Sequence, residues 1–379
     1  MSNVKCETRI MFSMFIIKTC HSESTSVGEE SLTQKSREIL RCAQKDSFSL
    51  NDTFRCIIPH LPIGKAGLMR NLFYIRDSRL RGNDRLFSSE SFFSTIFFLI
   101  IFLTLTLTSC VDAQEYSEKD IDICTSTFQL AVDENLHTRP INDVIIEVGK
   151  SFIGTDYVSH TLEVDGDERL VINLTGLDCN TFLEYVLVFS RNIKQGKTTF
   201  DDYKNELILI RYRGGKIHKY PSRLHYFTDW IYDNEKKGIV KDITEEIGGD
   251  KMKLNLSFMS AHPQYYKHLK NNPDFIPIIE KQEEEINNRD YYFIPQDKIG
   301  GIENEIKDGD LLAFTSTVKG LDVNHVGIAV RLDDGRVHVL HAPNVGYQVE
   351  ITKLPLAEYV MKIEKDSGII VVRALEPIE

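Results

Sequence analysis

The sequence predicts an α+β fold, and three observations predict it. Helical periodicity dominates the chain from residue 111 to about 191, strand alternation dominates it after residue 311, and a stretch too long for a loop lies between. Helices that come first and strands that follow are the order expected of an α+β domain, here spanning 111–379.

Taken in order, a first helix is expected over 117–136, where Ile121, Cys124, Phe128, Leu130 and Ala131 make a packing face and place Cys124 in the core. A second covers 141–152 and ends at Gly154. Residues 170–172 read as a short strand. Asp178 is then a good N-cap, and Phe182, Tyr185, Val186 and Phe189 recur at three- and four-residue spacing, so a third helix begins with Cys179 on its first turn. From about 191 to 301 an inserted α/β lobe is expected, with helix signals at 222–235 and strand signals at 251–258, narrowing a groove. Strands over 311–315, 324–332, 336–342 and 369–373 supply most of an antiparallel sheet.

Cys179 stands where a nucleophile would. At a helix start its sulfur meets unpaired backbone N–H groups, and with a cationic histidine nearby a thiol that ordinarily titrates near ~8.5 falls to about 7 or below. The competing assignment is a buried structural cysteine. His325 tips the balance, because Val326, Ile328 and Val330 alternate as the buried face of a strand and leave His325 on the other face with Gly327 and Ala329, whose small size leaves room for the Cys179 helix. The length of the following hairpin then matters. A two-residue turn at Asp334-Gly335 sets residue 341 opposite 328, whereas a three-residue loop with Gly335 left-handed sets it opposite 327 and brings His341 diagonally beside His325. The second register is expected, with His338 pointing away in a structural role.

Several motifs fall in a recognisable order. Gly154-Thr155-Asp156-Tyr157, Leu177-Asp178-Cys179-Asn180-Thr181-Phe182, Lys307-Asp308-Gly309-Asp310-Leu311-Leu312-Ala313-Phe314, Asn324-His325-Val326-Gly327-Ile328-Ala329 and Leu340-His341-Ala342 resemble the motif set of the NlpC-type cysteine peptidases of bacterial cell walls. Within them, the segment from Tyr157 to Glu163, Asn173-Leu174, the segment from Arg223 to Trp230, and Gly320-Leu321-Asp322-Val323 resemble the N-acetylmuramoyl-L-alanine amidase-like group, over about residues 140–375.

That resemblance implies a papain-like NlpC-type core and a Cys-His-His site. Cys179 would attack an amide carbonyl, His325 would take and return the proton, and His341 would orient His325. Tyr157 and the Cys179 backbone N–H would serve the oxyanion. Muropeptides of peptidoglycan are the implied partners, and no metal or cofactor is implied. Cleavage between muramic acid and L-alanine is the expected reaction; a γ-D-glutamyl-diaminoacyl endopeptidase, acyl transfer to an amine and an inactive wall-binding lipoprotein are the alternatives. Where many relatives carry a small polar pair after the His-Ala, this chain has Pro343-Asn344, which alters the fine substrate contacts. Glu163, Arg223 and Trp230 are candidate substrate residues, Arg223 as a fork for a carboxylate and Trp230 as a sugar platform, against an alternative in which they only pack or face solvent. Asp229 is expected on the outer face of its helix, and His262 and His268 in solvent.

The formal net charge of −11 and the lack of a basic stripe with interleaved aromatics argue against nucleic acid. Seven cysteines with no Cys-x-x-Cys pair exclude a zinc ribbon, and with none after 179 the C-terminal part has no dense disulfide framework. Residues 92–107 form an uncharged apolar run behind Arg79, Arg81 and Arg85, short for a membrane span and suited to a secretory leader. It ends in Leu107-Thr108-Ser109-Cys110, which resembles a lipoprotein cleavage box, so 91–110 is expected to be a lipoprotein-type signal segment. Cys110 would carry the lipid that holds the protein to an envelope membrane on the periplasmic side, an uncleaved signal anchor being the alternative. Residues 1–90 show no sustained periodicity and read as a disordered extension or an over-extended start, with Met69 one candidate initiator.

Overall fold

The structure is a computed structural model and describes residues 116–378. Residues 1–90, the signal segment and Cys110 therefore lie outside the described residues. Among those described, no helix is long and apolar enough to cross a membrane.

Three helices open the domain. Helix α1 (Glu118–Asp133) starts at Ser117, whose side chain and that of Asp120 form a capping box. Helix α2 (Ile141–Ser151) follows, and the chain then turns through Gly154 at φ +88°. Two short parallel strands, β1 (Asp156–Tyr157) and β2 (Gly176–Leu177), pair directly before helix α3 (Cys179–Lys194). Asp178 caps α3 through a second box with Thr181.

The expected apolar face of α3 is present, but it is only part of what the helix buries. Leu183, Leu187 and Val188 are enclosed as fully as Phe182, Tyr185, Val186 and Phe189, because α1, α2 and the sheet surround the helix together with α4 (Phe200–Arg211). Enclosure brings polar groups inside, and each then needs a partner. Arg191 finds Glu206 at 2.6 Å and Glu184 finds Arg211 at 2.8 Å.

The remaining elements are α5 (Phe227–Lys236), β3 (Val240–Asp242), β4 (Asp250–Met252), α6 (Phe258–Ala261), α7 (Lys267–Asn271), α8 (Ile276–Asn287), β5 (Tyr291–Pro295), α9 (Ile299–Ile302), β6 (Leu311–Ser316), β7 (Val323–Arg331), β8 (Val337–His341), β9 (Glu350–Ile351), α10 (Leu356–Met361) and β10 (Asp366–Ala374). Eight strands form one antiparallel sheet in the order β4-β5-β10-β6-β7-β8-β9, with β3 also beside β10. The fold is α+β.

Both faces of that sheet are covered. Ile370, Val372, Val326, Ile328, Val330 and Leu340 pack under α2 and α3, whereas Ile369, Val371, Phe314, Ala329, Val337 and Val339 pack with Leu356 and Val360 of α10. Period-two alternation thus sends apolar residues to two separate cores. The helix bearing Cys179 rests on the Val326/Ile328/Val330 face, which corrects the expectation that it approaches over Gly327 and Ala329. The space at Gly327 is taken by the neighbouring strand: a Cβ there would lie 3.2 Å from His341 Cβ and 2.5 Å from Val339 Cγ1.

Four other expectations change. Residues 170–172 are buried without forming a strand, and the Val171 carbonyl accepts instead from Arg211 Nη1 at 2.7 Å. The strand expected over 251–258 stops at Met252, because the Asn287 side chain, and no neighbouring strand, bonds the Leu256 N–H and carbonyl. The helix expected from 222 begins at Phe227, since Tyr220–Ser222 is a 3₁₀ turn and Arg223 bridges to Tyr212. The stretch 191–301 divides: α4, α5 and β3 join the main core, while Tyr220, Tyr226, Leu254, Leu256, Met259, Leu269, Ile279, Ile286 and Tyr291 enclose a smaller core of their own.

Candidate active site

Cys179 is placed by three local devices. Asp178 Oδ1 accepts from the Thr181 N–H at 2.8 Å, and Thr181 Oγ1 accepts from the Asp178 N–H at 2.9 Å, so the helix starts at the cysteine and nowhere else. Asn173 Oδ1 accepts from the Thr175 and Gly176 N–H groups, each at 3.1 Å, and folds the chain into the turn. Gly176 pairs with Asp156 and Leu177 with Tyr157, which brings Tyr157 beside the cysteine. A Cβ at Gly176 would meet Val158 Cγ2 at 2.5 Å, so this pairing needs glycine.

The two histidines, on β7 and β8, meet each other. Ile328 faces Leu340 and Ala329 faces Val339, the register of a three-residue loop, with Gly335 at φ +76°. His341 consequently lies diagonally across from His325, and His325 Nε2 meets His341 Nδ1 at 2.7 Å. At that distance one proton is shared between those two nitrogens. The His341 ring is 1% exposed, with Tyr359 edge-on at 5.4 Å, and its Nε2 has no partner. His338 points to the opposite face and is held by the Thr352 carbonyl and Asp334.

Protonation departs from the sequence expectation. Burial pushes the Cys179 thiol up to about 12, Asp178 adding to the effect, although the N–H groups of Val326, Asn180 and Cys179 itself favour the thiolate. Burial also lowers His325 to about 4, and burial followed by the His325 charge lowers His341 to about 3. In place of the expected thiolate and cationic histidine, burial favours a neutral thiol and neutral imidazoles, because little water is left to hydrate a charge.

A pH dependence follows. An imidazole of pKa about 4 is deprotonated throughout the neutral range, so with His325 as a catalytic base kcat/KM should stay level from pH 8 down to about 5 and fall below that with a midpoint near 4. A midpoint near 6.5 in a pH–rate profile would show that His325 is hydrated. For stability the sign is the same. Between pH 6.5 and 4 the unfolded chain takes up protons that the native histidines refuse, so they destabilise the fold progressively on acidification, while Asp366, raised to about 6 by burial, acts in the opposite sense.

Cys179 is partly exposed to a cavity of about 330 Å³, whose walls include Tyr157, Glu163, Asp178, Glu184, Arg211 and Arg223. Tyr157 is itself pushed up to about 12 by burial and then by Cys179 and Asp178, so its hydroxyl remains a donor at any ordinary pH. Glu163 and Arg223 are both present in the cavity but occupied with each other, at 2.5 Å. Arg223 also donates to the Leu162 carbonyl at 3.0 Å and lies 3.6 Å from Glu168, so it offers no open fork. Trp230 is 1% exposed, stacks on Phe227 and donates to Glu184 at 3.1 Å, which removes it from the role of a sugar platform. Asp229 is buried as well, between Arg213 and Arg289 at 2.6 and 2.7 Å. His268 is buried against Tyr220, with ring centroids 4.7 Å apart, and is not solvated.

Sequence reasoning passed over four groups. Asp120 of α1 accepts from the Leu174 N–H at 2.7 Å and so ties the nucleophile turn to the first helix. Asn324, next to His325, donates to Asp366, and Tyr359 flanks His341. The Glu184–Arg211 pair forms part of the cavity wall. Only Asn324 carried a signal, its position beside His325; the others depend on residues far apart in the chain.

Residues 147–369 match the family described as N-acetylmuramoyl-L-alanine amidase-like. Among solved structures, an N-acetylmuramoyl-L-alanine amidase from Bacteroides uniformis is 36% identical, covers 62% of this chain and 99% of its own, and superposes with a TM-score of 0.59. A Bacteroides fragilis protein provisionally described as a xylanase is 39% identical over 59% of this chain and 98% of its own, with a TM-score of 0.57. A Legionella pneumophila protein shares the fold at 19% identity, with 67% and 95% coverage and a TM-score of 0.52. A search among curated proteins returns no match.

Proposed function

The chain belongs to the N-acetylmuramoyl-L-alanine amidase-like family, and we propose that it is a cysteine-dependent peptidoglycan amidase that cuts between the lactyl carbonyl of N-acetylmuramic acid and the L-alanine of the stem peptide. The observation that carries this reading is a partly exposed Cys179 at a helix start, in a chain that also pairs His325 Nε2 with His341 Nδ1 at 2.7 Å. We read the core as papain-like and NlpC-type, with the catalytic domain at 111–379.

In the proposed reaction His325 Nδ1 takes the thiol proton as the Cys179 sulfur bonds to the carbonyl carbon. Charge then develops on the carbonyl oxygen, where the Cys179 N–H and the Tyr157 hydroxyl donate. His325 returns its proton to the alanine nitrogen, the C–N bond breaks, and a thioester remains. Water attacks the thioester with His325 again the base, releasing the lactyl acid and restoring the thiol. Throughout, His341 holds the tautomer of His325 through its far nitrogen.

A glycosidase would instead require two carboxylates free to act as acid and base. In the cavity Glu184 accepts from both Arg211 and Trp230, and Glu163 is paired with Arg223, so the amidase reading is favoured. Incubation with defined muropeptides and mass spectrometry tests it. A free stem peptide beginning at L-alanine is expected; fragments cut after D-glutamate would overturn the assigned bond.

The proposal extends to location. Cys110, following the apolar run 92–107, would be the acylated first residue of a protein held at the periplasmic side of an envelope membrane. Mass spectrometry of the native protein should find an N-terminal Cys110 bearing acyl mass. An intact 1–109 segment would replace this by the signal-anchor arrangement.

A further inference from the structure

The sequence offered Trp230 as a sugar-stacking platform and the fold buries it, but another aromatic ring stands open at the cavity. Tyr265 is 67% exposed, although it lines the same cavity as Cys179. Its orientation is set from behind. The His262 ring lies 7° from parallel with it at 5.8 Å, Phe258 packs on His262 at 4.7 Å, and His262 Nδ1 is fixed by the Phe258 carbonyl at 3.0 Å. A ring stacked against His262 and still 67% exposed offers apolar surface to a flat ligand.

The polar wall of the cavity indicates what kind of molecule carries that surface. Its two guanidinium groups are engaged internally, Arg211 with Glu184 and Arg223 with Glu163 and Glu168. The carboxylates of Asp178, Glu163 and Glu184 outnumber the two arginines lining the cavity, so an added free carboxylate would meet net negative charge. Hydrogen-bonding capacity nevertheless remains. Neither the Tyr220 hydroxyl nor Glu163 Oε2 has a partner at hydrogen-bond geometry, although Arg223, 5.0 Å from the Tyr220 ring, acts on that hydroxyl, and Tyr220 is 1% exposed. One is a donor and the other an acceptor, which suits a neutral ligand with hydroxyl or amide groups at its edge.

We infer that Tyr265, with the Tyr220 hydroxyl and Glu163, forms a saccharide subsite that takes a neutral N-acetylated pyranose ring, its apolar face on the tyrosine and its hydroxyl or acetamido edge on the polar wall. This deepens the amidase reading, on which it rests for the identity of the sugar, by placing the glycan side of the substrate against the 258–266 segment.

The test separates binding from cleavage. The N-acetylglucosamine trimer, which has no scissile amide, is titrated calorimetrically into the wild type, Tyr265→Ala and Tyr265→Phe, and each protein is assayed on a muropeptide with and without an added N-acetylglucosamine. Because Tyr265 is exposed, the variants should melt with the wild type. Tyr265→Ala is expected to weaken trimer binding roughly three- to tenfold, the scale of one lost aromatic contact, and to raise KM on the longer substrate with little change in kcat, while Tyr265→Phe stays close to wild type. Equal trimer affinity in Tyr265→Ala and wild type, or no binding by the wild type, overturns the subsite. Trimer binding that depends on Tyr265 in a protein that cleaves no muropeptide would sustain the subsite and remove the amidase reading.

Discussion

Cys179→Ala and His325→Ala should each lower turnover on a muropeptide by at least about 10³-fold, because a nucleophile and its base act as one unit and either loss stops the thioester from forming. Folding should be preserved in Cys179→Ala, whose side chain is partly exposed at the cavity. His341→Ala should cost less, since His325 keeps its base nitrogen and loses only the partner 2.7 Å from Nε2 that fixes its tautomer. Reaction with iodoacetamide supplies a check on the state of the thiol. With burial holding Cys179 near 12, the free enzyme should alkylate slowly at pH 7 even though it is active there. Turnover that survives in Cys179→Ala, or that EDTA removes and zinc restores, would end the thiol mechanism.

Arg211→Met should destabilise the protein by about 3–5 kcal/mol, the cost of leaving a buried carboxylate without its cation. The side chains of Arg211 and Glu184 are 2% and 1% exposed and meet at 2.8 Å. Burial alone would lower the pKa of the guanidinium, but Glu184 and the neighbouring tyrosines outweigh it and keep the group charged. Arg211 also holds the Val171 carbonyl at 2.7 Å, and Glu184 holds the Trp230 indole, so the pair ties α3 to the 170–172 segment and to α5. The double variant Arg211→Met/Glu184→Gln should recover part of the loss, since no charge is then stranded. In Arg211→Met alone a buried carboxylate is stranded, so the deficit of that variant relative to the wild type should shrink as pH falls from 7 toward 5. Urea titration reads both effects. A loss below about 1 kcal/mol, or no pH dependence, would mean that water reaches Glu184.

The comparison of sequence with structure divides along a physical line. Much of what depends on neighbours within a few residues was legible. Asp178 caps a helix that begins at Cys179, and Gly335 closes a three-residue hairpin whose register sets His341 diagonal to His325. Alternation identified β6, β7, β8 and β10 to within a few residues. These signals are local because capping, turn geometry and strand period act over single hydrogen bonds and adjacent side chains.

Tertiary structure decided the rest. Which face of β7 receives the Cys179 helix depended on the filling of the space at Gly327 by His341 and Val339. Whether Arg223 is an open fork depended on Glu163 and Glu168, about 60 residues before it, and whether Trp230 is a platform depended on Glu184, about 46 before it. The protonation of Cys179, His325 and His341 was decided by burial, which no single segment carries. The sequence by itself determined where a nucleophile, a base and an orienting histidine could stand, because those placements follow from backbone geometry; only the assembled fold decided that they rest uncharged, because the hydration that sets a charge is removed by elements distant in the chain.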